Sequence, residues 1–235
     1  MKTSSSTPNI DETVFFVKSI ASGARVTTAI LVFVAFLILL GLYIWPHQIG
    51  ARGGLPIPGK LLISVTQFFQ GDRDWGDENL GNTPGTLADQ GCAVSSASMV
   101  LSHYGMDVNP GRLNSFLQQH HGYEGTGWLR WESAAEYSPG LLKKAYEDLP
   151  SYALIDWNLL NGNPVIVRIR LPRGITHFVV IVGKQGIDYL IRDPSSHGMG
   201  QIYPLKELGV PIEALRYYRT LPHSDMQESA REQGG

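Results

Sequence analysis

The sequence predicts an α+β domain, a cysteine-bearing helix packed on an antiparallel sheet, preceded by one transmembrane helix. Three observations predict it. An uncharged apolar run lies near the N-terminus, a helix-period pattern follows Cys92, and strand-period patterns fill the last third of the chain.

The apolar run is Val26 to Trp45, and it defines a transmembrane helix over residues 26–46. At about 1.5 Å per residue it is long enough to cross roughly 30 Å of hydrocarbon. Tyr43 and Trp45 close it as interfacial aromatics, and Pro46 stops the helix. A cleavable signal peptide would have an apolar part of only about 7–15 residues, and a buried core helix would show a polar face. Lys2, Lys18 and Arg25 precede the run, whereas Arg52 and Lys60 follow it. That excess makes residues 1–25 cytoplasmic and places the following domain outside the cytoplasm.

Residues 47–60 hold Gly53, Gly54, Pro56, Pro58 and Gly59, the composition of an irregular linker. The domain then spans 61–220. Leu61 to Phe69 reads as a strand and Gly71 to Gly91 as a long loop. Ala93, Val94, Ala97, Val100, Leu101 and Tyr104 recur at helical spacing, with Gly105 as the C-terminal stop. Asn109-Pro110 opens a second helix that buries Leu113, Phe116 and Leu117. Val165 to Leu171 alternates as a strand, Pro172-Arg173-Gly174 turns the chain, and His177 to Val182 is an apolar strand lying centrally in the sheet. Gln185-Gly186 makes the next turn, and Ile187 to Ile191 returns to Asp193-Pro194. Residues 221–235 read as a disordered tail.

Composition removes several function classes. With 19 Lys+Arg against 21 Asp+Glu the net charge is -2, so no basic field recommends nucleic acid as a partner. The single cysteine excludes an intrachain disulfide and a multi-thiolate zinc site. His103, His120 and His121 lack carboxylate or thiolate partners at ligand spacing, so neither a metal nor a cofactor is expected.

A thiolate is the reactive form of cysteine, and a helix N-terminus favours it with partial positive charge and unpaired N–H groups. Cys92 has that position. Gly91 would let the backbone approach a substrate, and Ala93, Ser95, Ser96 and Ala97 would leave room around the sulfur. His177, opening the apolar strand, is the candidate base, with His197 in the later loop as its competitor. Asp193 meets His177 if the strands pair as a hairpin around Gln185-Gly186, and would orient the ring. The Cys92 N–H is one oxyanion donor; a glutamine amide completes the set, Gln70 first, with Gln67 and Gln90 as competitors. Trp128 and Trp131 are candidates for a groove wall.

Q-G-D-R-D-W at Gln70 to Trp75, G-C-A-V-S-S-A-S-M-V-L at Gly91 to Leu101, H-F-V-V-I-V-G at His177 to Gly183 and R-D-P at Arg192 to Pro194 come in a telling order. Together they resemble the bacteriocin-leader-processing (double-glycine) cysteine peptidase-like family, over about Leu62 to Leu205. The resemblance implies a papain-like cysteine peptidase fold, with Cys92, His177 and Asp193 as the catalytic set and Gln70 upstream. Related sequences commonly carry Gly-Pro-Thr or similar after the cysteine, whereas this one has Ala93-Val94-Ser95. The 235 residues also contain no transporter or nucleotide-binding module, so the substrate is not inherited with the fold. The expected function is that of a membrane-anchored cysteine peptidase acting on a peptide or protein substrate at a peptide or isopeptide bond. The alternatives are a cell-wall amidase or transpeptidase, and a catalytically inactive peptide-binding module.

Overall fold

The computed structural model describes residues 30–37, 48–137, 139–195 and 200–221. The chain divides into two compact units, Met1–Pro46 and His47–Gly235. In the first, residues 30–37 are helical and exposed. The rest of the expected span, the cytoplasmic segment and residues 222–235 of the expected tail lie outside the described residues. Among the described residues no helix is long and apolar enough to cross a membrane.

The second unit is built on an antiparallel sheet. Its strands are β1 (Arg52–Leu62), β4 (Leu142–Asp148), β5 (Val165–Leu171), β6 (Ile175–Arg192), β7 (Tyr203–Pro204) and β8 (Ile212–Thr220), while β2 (Tyr123–Glu124) and β3 (Trp128–Leu129) form a separate small pair. The large sheet runs β1-β6-β5-β8-β4, with β7 also on β6, so β5 is the middle strand and β6 an interior neighbour. The helices are α1 (Leu87–Gln90), α2 (Cys92–His103), α3 (Pro110–Gln119), α4 (Trp131–Ala135) and α5 (Tyr152–Leu160).

The α2 helix packs on β6 and β5. Val94, Ala97, Met99, Val100 and Leu101 are buried along it, and its serines are small enough to be buried too. A fully buried Val, Leu or Met contributes about 1.5–3 kcal/mol, so this contact fixes the helix start firmly. Asn109 caps α3 through its side chain to the Arg112 N–H at 2.8 Å, and Pro110 occupies a first-turn position that needs no donor. Leu113 and Leu117 face the core as the spacing predicts.

The expected linker 47–60 is corrected. Residues 52–62 are an edge strand, paired with β6 from Arg52↔Asp188 to Leu62↔Gly183. Pro56 and Pro58 are tolerated because an edge strand leaves one side unladdered, and Gly53, Gly54 and Gly59, all at positive φ, accompany its register shifts. The expected strand Leu61–Phe69 is correspondingly short. Beyond Leu62 burial still alternates, with Ile63 and Val65 inside, but among the described residues the ladder-like bond that continues the strand is from the Ile63 N–H to the Val182 carbonyl at 2.7 Å. The expected loop 71–91 contains α1, whose N-cap Thr86 accepts from the Asp89 N–H.

The β6 strand spans Ile175–Arg192 without a break, where a turn at Gln185-Gly186 is expected. A straight run of 16 residues would separate His177 from Asp193 by about 53 Å, yet their side chains are hydrogen-bonded. The chain therefore doubles back within β6, and Gly186, the residue of β6 with a left-handed φ (59°), stands where the turn is expected.

Candidate active site

Cys92 is the first residue of α2, so its N–H has no acceptor within the helix. Gly91 joins α1 to α2 with φ -79°, an ordinary value. Its lack of a side chain is required by packing, since a Cβ there would lie 2.4 Å from the Leu87 carbonyl oxygen. Closeness to a substrate is therefore not what demands glycine. The small residues after Cys92 are also core residues more than cleft residues. Ser96 donates to the Phe178 carbonyl at 3.2 Å and Ala97 is fully buried, while Ala93 alone of the four reaches the cleft.

His177 sits opposite Ile169 of β5 in the first arm of β6 and is 6 % exposed. Its Nε2 is 2.8 Å from Asp193 Oδ1. The ring shares the cleft with the Cys92 side chain, and with Nε2 engaged by Asp193 its Nδ1 is the nitrogen left for the thiol. Burial by itself disfavours the imidazolium. Hydrogen bonds to Asp193 and Cys92, and their negative charge, outweigh it and push the His177 pKa up to about 9. Burial likewise works to raise the Asp193 pKa, but the bond to His177 and its charge dominate, helped by Tyr203 and the Ser195 N–H, and hold it below the ordinary value.

Asp193 is more fully surrounded than its sequence context suggests. Oδ1 also accepts from the Ser195 N–H at 2.8 Å, and Oδ2 accepts from the Tyr203 hydroxyl at 2.6 Å. Tyr203 reaches it because β7 pairs Tyr203 with Ile191, two positions before the aspartate. Burial and this bond raise the tyrosine's pKa, so it is held as a donor. Nothing in the sequence singles out Tyr203; the only signal is that a buried carboxylate needs a donor for each oxygen.

The three glutamines separate. Gln70 lines the cleft beside Cys92 and His177. Its backbone N–H donates to Pro194 at 2.8 Å and its Nε2 to Ala88 at 2.6 Å, which leaves a second Nε2 hydrogen. Gln67 does not line the cleft; its Nε2 donates to the Asp193 backbone carbonyl at 2.7 Å and braces that residue. Gln90 lines the cleft but is exposed. His197 lies outside the described residues.

The cleft encloses about 430 Å³ between the Cys92–His177 pair and an apolar wall that includes Trp128, Leu129, Leu171 and Ile175. Trp128 and Trp131 part company here. Trp128 is 53 % exposed on the wall, whereas Trp131 is buried and stacks under the Arg216 guanidinium at 4.8 Å, with Phe178 at 5.0 Å from the same group. Phe178 lines the cleft, so this stack supports its floor. A larger groove of about 520 Å³ near Asp74, Glu78 and Tyr137 contains neither Cys92 nor His177. Among the described residues no cluster of His, Cys, Asp and Glu is placed to hold a metal ion.

Such an arrangement can hold a thiolate against an imidazolium and present it to a carbonyl carbon, with N–H donors nearby for the oxyanion. Two solved structures are similar to this chain. One is described as a C39-like peptidase from Bacillus anthracis, at 16% identity and TM-score 0.44, over 67% of this chain and 96% of that one. The other is the peptidase domain of Streptococcus ComA, a bi-functional ABC transporter involved in a quorum-sensing pathway, at 21% identity and TM-score 0.42, over 56% and 91%. No curated protein matches the chain. The family described as Peptidase_C39 like family matches residues 63–219, which include the cysteine helix, both arms of β6 and Asp193. The motifs' resemblance is borne out at this level, and the chain belongs to that family.

Proposed function

We propose that the chain is a membrane-anchored cysteine peptidase that hydrolyses a peptide or isopeptide bond through a Cys92-His177-Asp193 thiolate mechanism. The observation that carries this reading is one imidazole bonded to Asp193 at Nε2 while it lines the same cleft as Cys92 at the start of α2. His177 takes the thiol proton through Nδ1, and the thiolate attacks the substrate carbonyl. The oxyanion receives the Cys92 N–H and the second Nε2 hydrogen of Gln70. Collapse expels the amine, which takes its proton from His177, and leaves a thioester. Water then attacks, giving its proton to His177, and the acid departs as the thiol is restored.

The anchor in this reading is the apolar run Val26 to Trp45, with the N-terminus cytoplasmic and the cleft outside the cytoplasm; support comes from length, composition and the flanking charges. Nothing in the cleft favours the alternatives. An inactive module would tolerate a scattered constellation, and the His177–Asp193 distance of 2.8 Å argues against one. No cleft residue speaks for cell-wall chemistry in particular.

The test uses the full chain in detergent with a peptide-like, thiol-directed trap and a peptide-library digest. Cys92 is expected to be labelled, and Cys92→Ala to abolish both labelling and cleavage. Undiminished cleavage by Cys92→Ala, or a Cys92 that ignores the trap, would overturn the reading.

A further inference from the structure

The polarity of α5 is the reverse of that expected for a surface helix of a water-soluble domain. Its charged residue points inward. Asp156 is 2 % exposed and accepts from Lys184 Nζ at 2.5 Å, the Tyr189 hydroxyl at 3.0 Å and the Leu55 N–H at 2.6 Å. Asn158 is fully buried too. The outward residues are Ala153, Trp157 and Leu160, with no charge among them. Trp157 is 60 % and Leu160 55 % exposed, three positions apart and therefore on one side of the helix. Leu55, tied to α5 through Asp156, is exposed as well.

Chain length says what can cover this face. The Tyr152 hydroxyl, at the start of α5, donates to the carbonyls of Gly50 and Arg52 at 3.3 and 3.0 Å. Trp45, the last residue of the apolar run, precedes Gly50 by five residues, a reach of at most about 18 Å. From Tyr152 to Leu160 the helix adds about 12 Å. With the Tyr152 side chain and its hydrogen bond included, a bilayer crossed by that run would lie within about 40 Å of Trp157, at a high effective concentration.

We propose that the outward face of α5, centred on Trp157 and Leu160, rests on the lipid bilayer that the run Val26 to Trp45 crosses. Tryptophan and leucine, with no charge among the exposed positions of their helix, suit the headgroup boundary, where an indole buries its ring and keeps its N–H wet. The inference rests on the anchor reading above.

Two tryptophans of similar exposure make the test. The full chain is reconstituted in phosphatidylcholine vesicles carrying brominated acyl chains, floated on a density gradient, and read by tryptophan emission. Trp157→Phe is expected to remove part of the lipid-quenchable emission, and Trp128→Phe, at the cleft, to remove none. Flotation with unchanged lipid quenching in Trp157→Phe overturns the proposal while leaving the anchor intact. So does a Trp157 shielded from acrylamide but not quenched by lipid, which would mean a second copy or another protein covers the face. Failure to float removes the anchor and this inference together.

Discussion

Tyr203 donates its hydroxyl to Asp193 Oδ2 at 2.6 Å, on the carboxylate oxygen that His177 leaves open. The aspartate is therefore clamped from two sides, and its orientation toward the imidazole does not depend on His177 alone. Tyr203→Phe removes that donor and leaves a buried oxygen without it. A hydrogen bond to a charged group is worth about 1.5–3 kcal/mol, so kcat/KM should fall on the order of 10-fold or more. Steady-state kinetics check this, and the loss should appear in kcat more than in KM because Tyr203 does not line the cleft.

The alkaline limb of activity should lie near the raised pKa of His177, about 9. Below that the imidazolium persists; as pH rises through it the proton leaves and the rate falls. The stabilisation from this pairing follows the same direction, full below the ordinary histidine value of 6.5 and lost toward about 9. Asp193→Asn removes a charge and a hydrogen-bond acceptor, so the limb should move down toward 6.5. A pH profile of kcat/KM for both proteins measures the shift.

The glutamines should rank by position. Gln70→Ala removes the proposed oxyanion donor and should cost on the order of 100-fold in kcat. Gln67→Ala takes away the brace on the Asp193 carbonyl and a bond to the Phe68 carbonyl and should cost less, accompanied by a lower melting temperature. Gln90→Ala, exposed at the rim, should leave the rate nearly unchanged. Parallel assays of the three variants would separate them, and equal losses would remove Gln70 from its assigned role.

Lys184→Met leaves Asp156 buried, with its charge facing only the Tyr189 hydroxyl and the Leu55 N–H. Breaking a buried pair on one side costs about 3–5 kcal/mol. Denaturant unfolding should show a loss of that order, together with earlier release of β1.

The parts legible in the sequence are those with a repeating physical signal. The α2 pattern and its bounding glycines point to Cys92 at a helix start, and the apolar strand and Asp193-Pro194 bracket the reversal that joins His177 to Asp193. What stays hidden has no such signal. The Gly- and Pro-rich stretch 52–62 reads as a connector because composition reports local stiffness, whereas its strand character comes from pairing with β6. The α5 helix escapes notice because its polar residues turn inward and leave no amphipathic stripe. In β4 the sequence Leu-Lys-Lys-Ala-Tyr-Glu-Asp looks solvated, yet it pairs along β8. Tyr203 follows an irregular loop and is a single residue in a two-residue strand.

The pairing of β1 has a practical consequence for anyone releasing the domain from its apolar run. A cut at residue 61 would strip an edge from the sheet and take the Leu55 N–H away from Asp156. Ile49 exchanges both backbone bonds with Ile212 of β8, at 3.0 and 2.8 Å. A soluble fragment that keeps its sheet whole must therefore start upstream of Ile49.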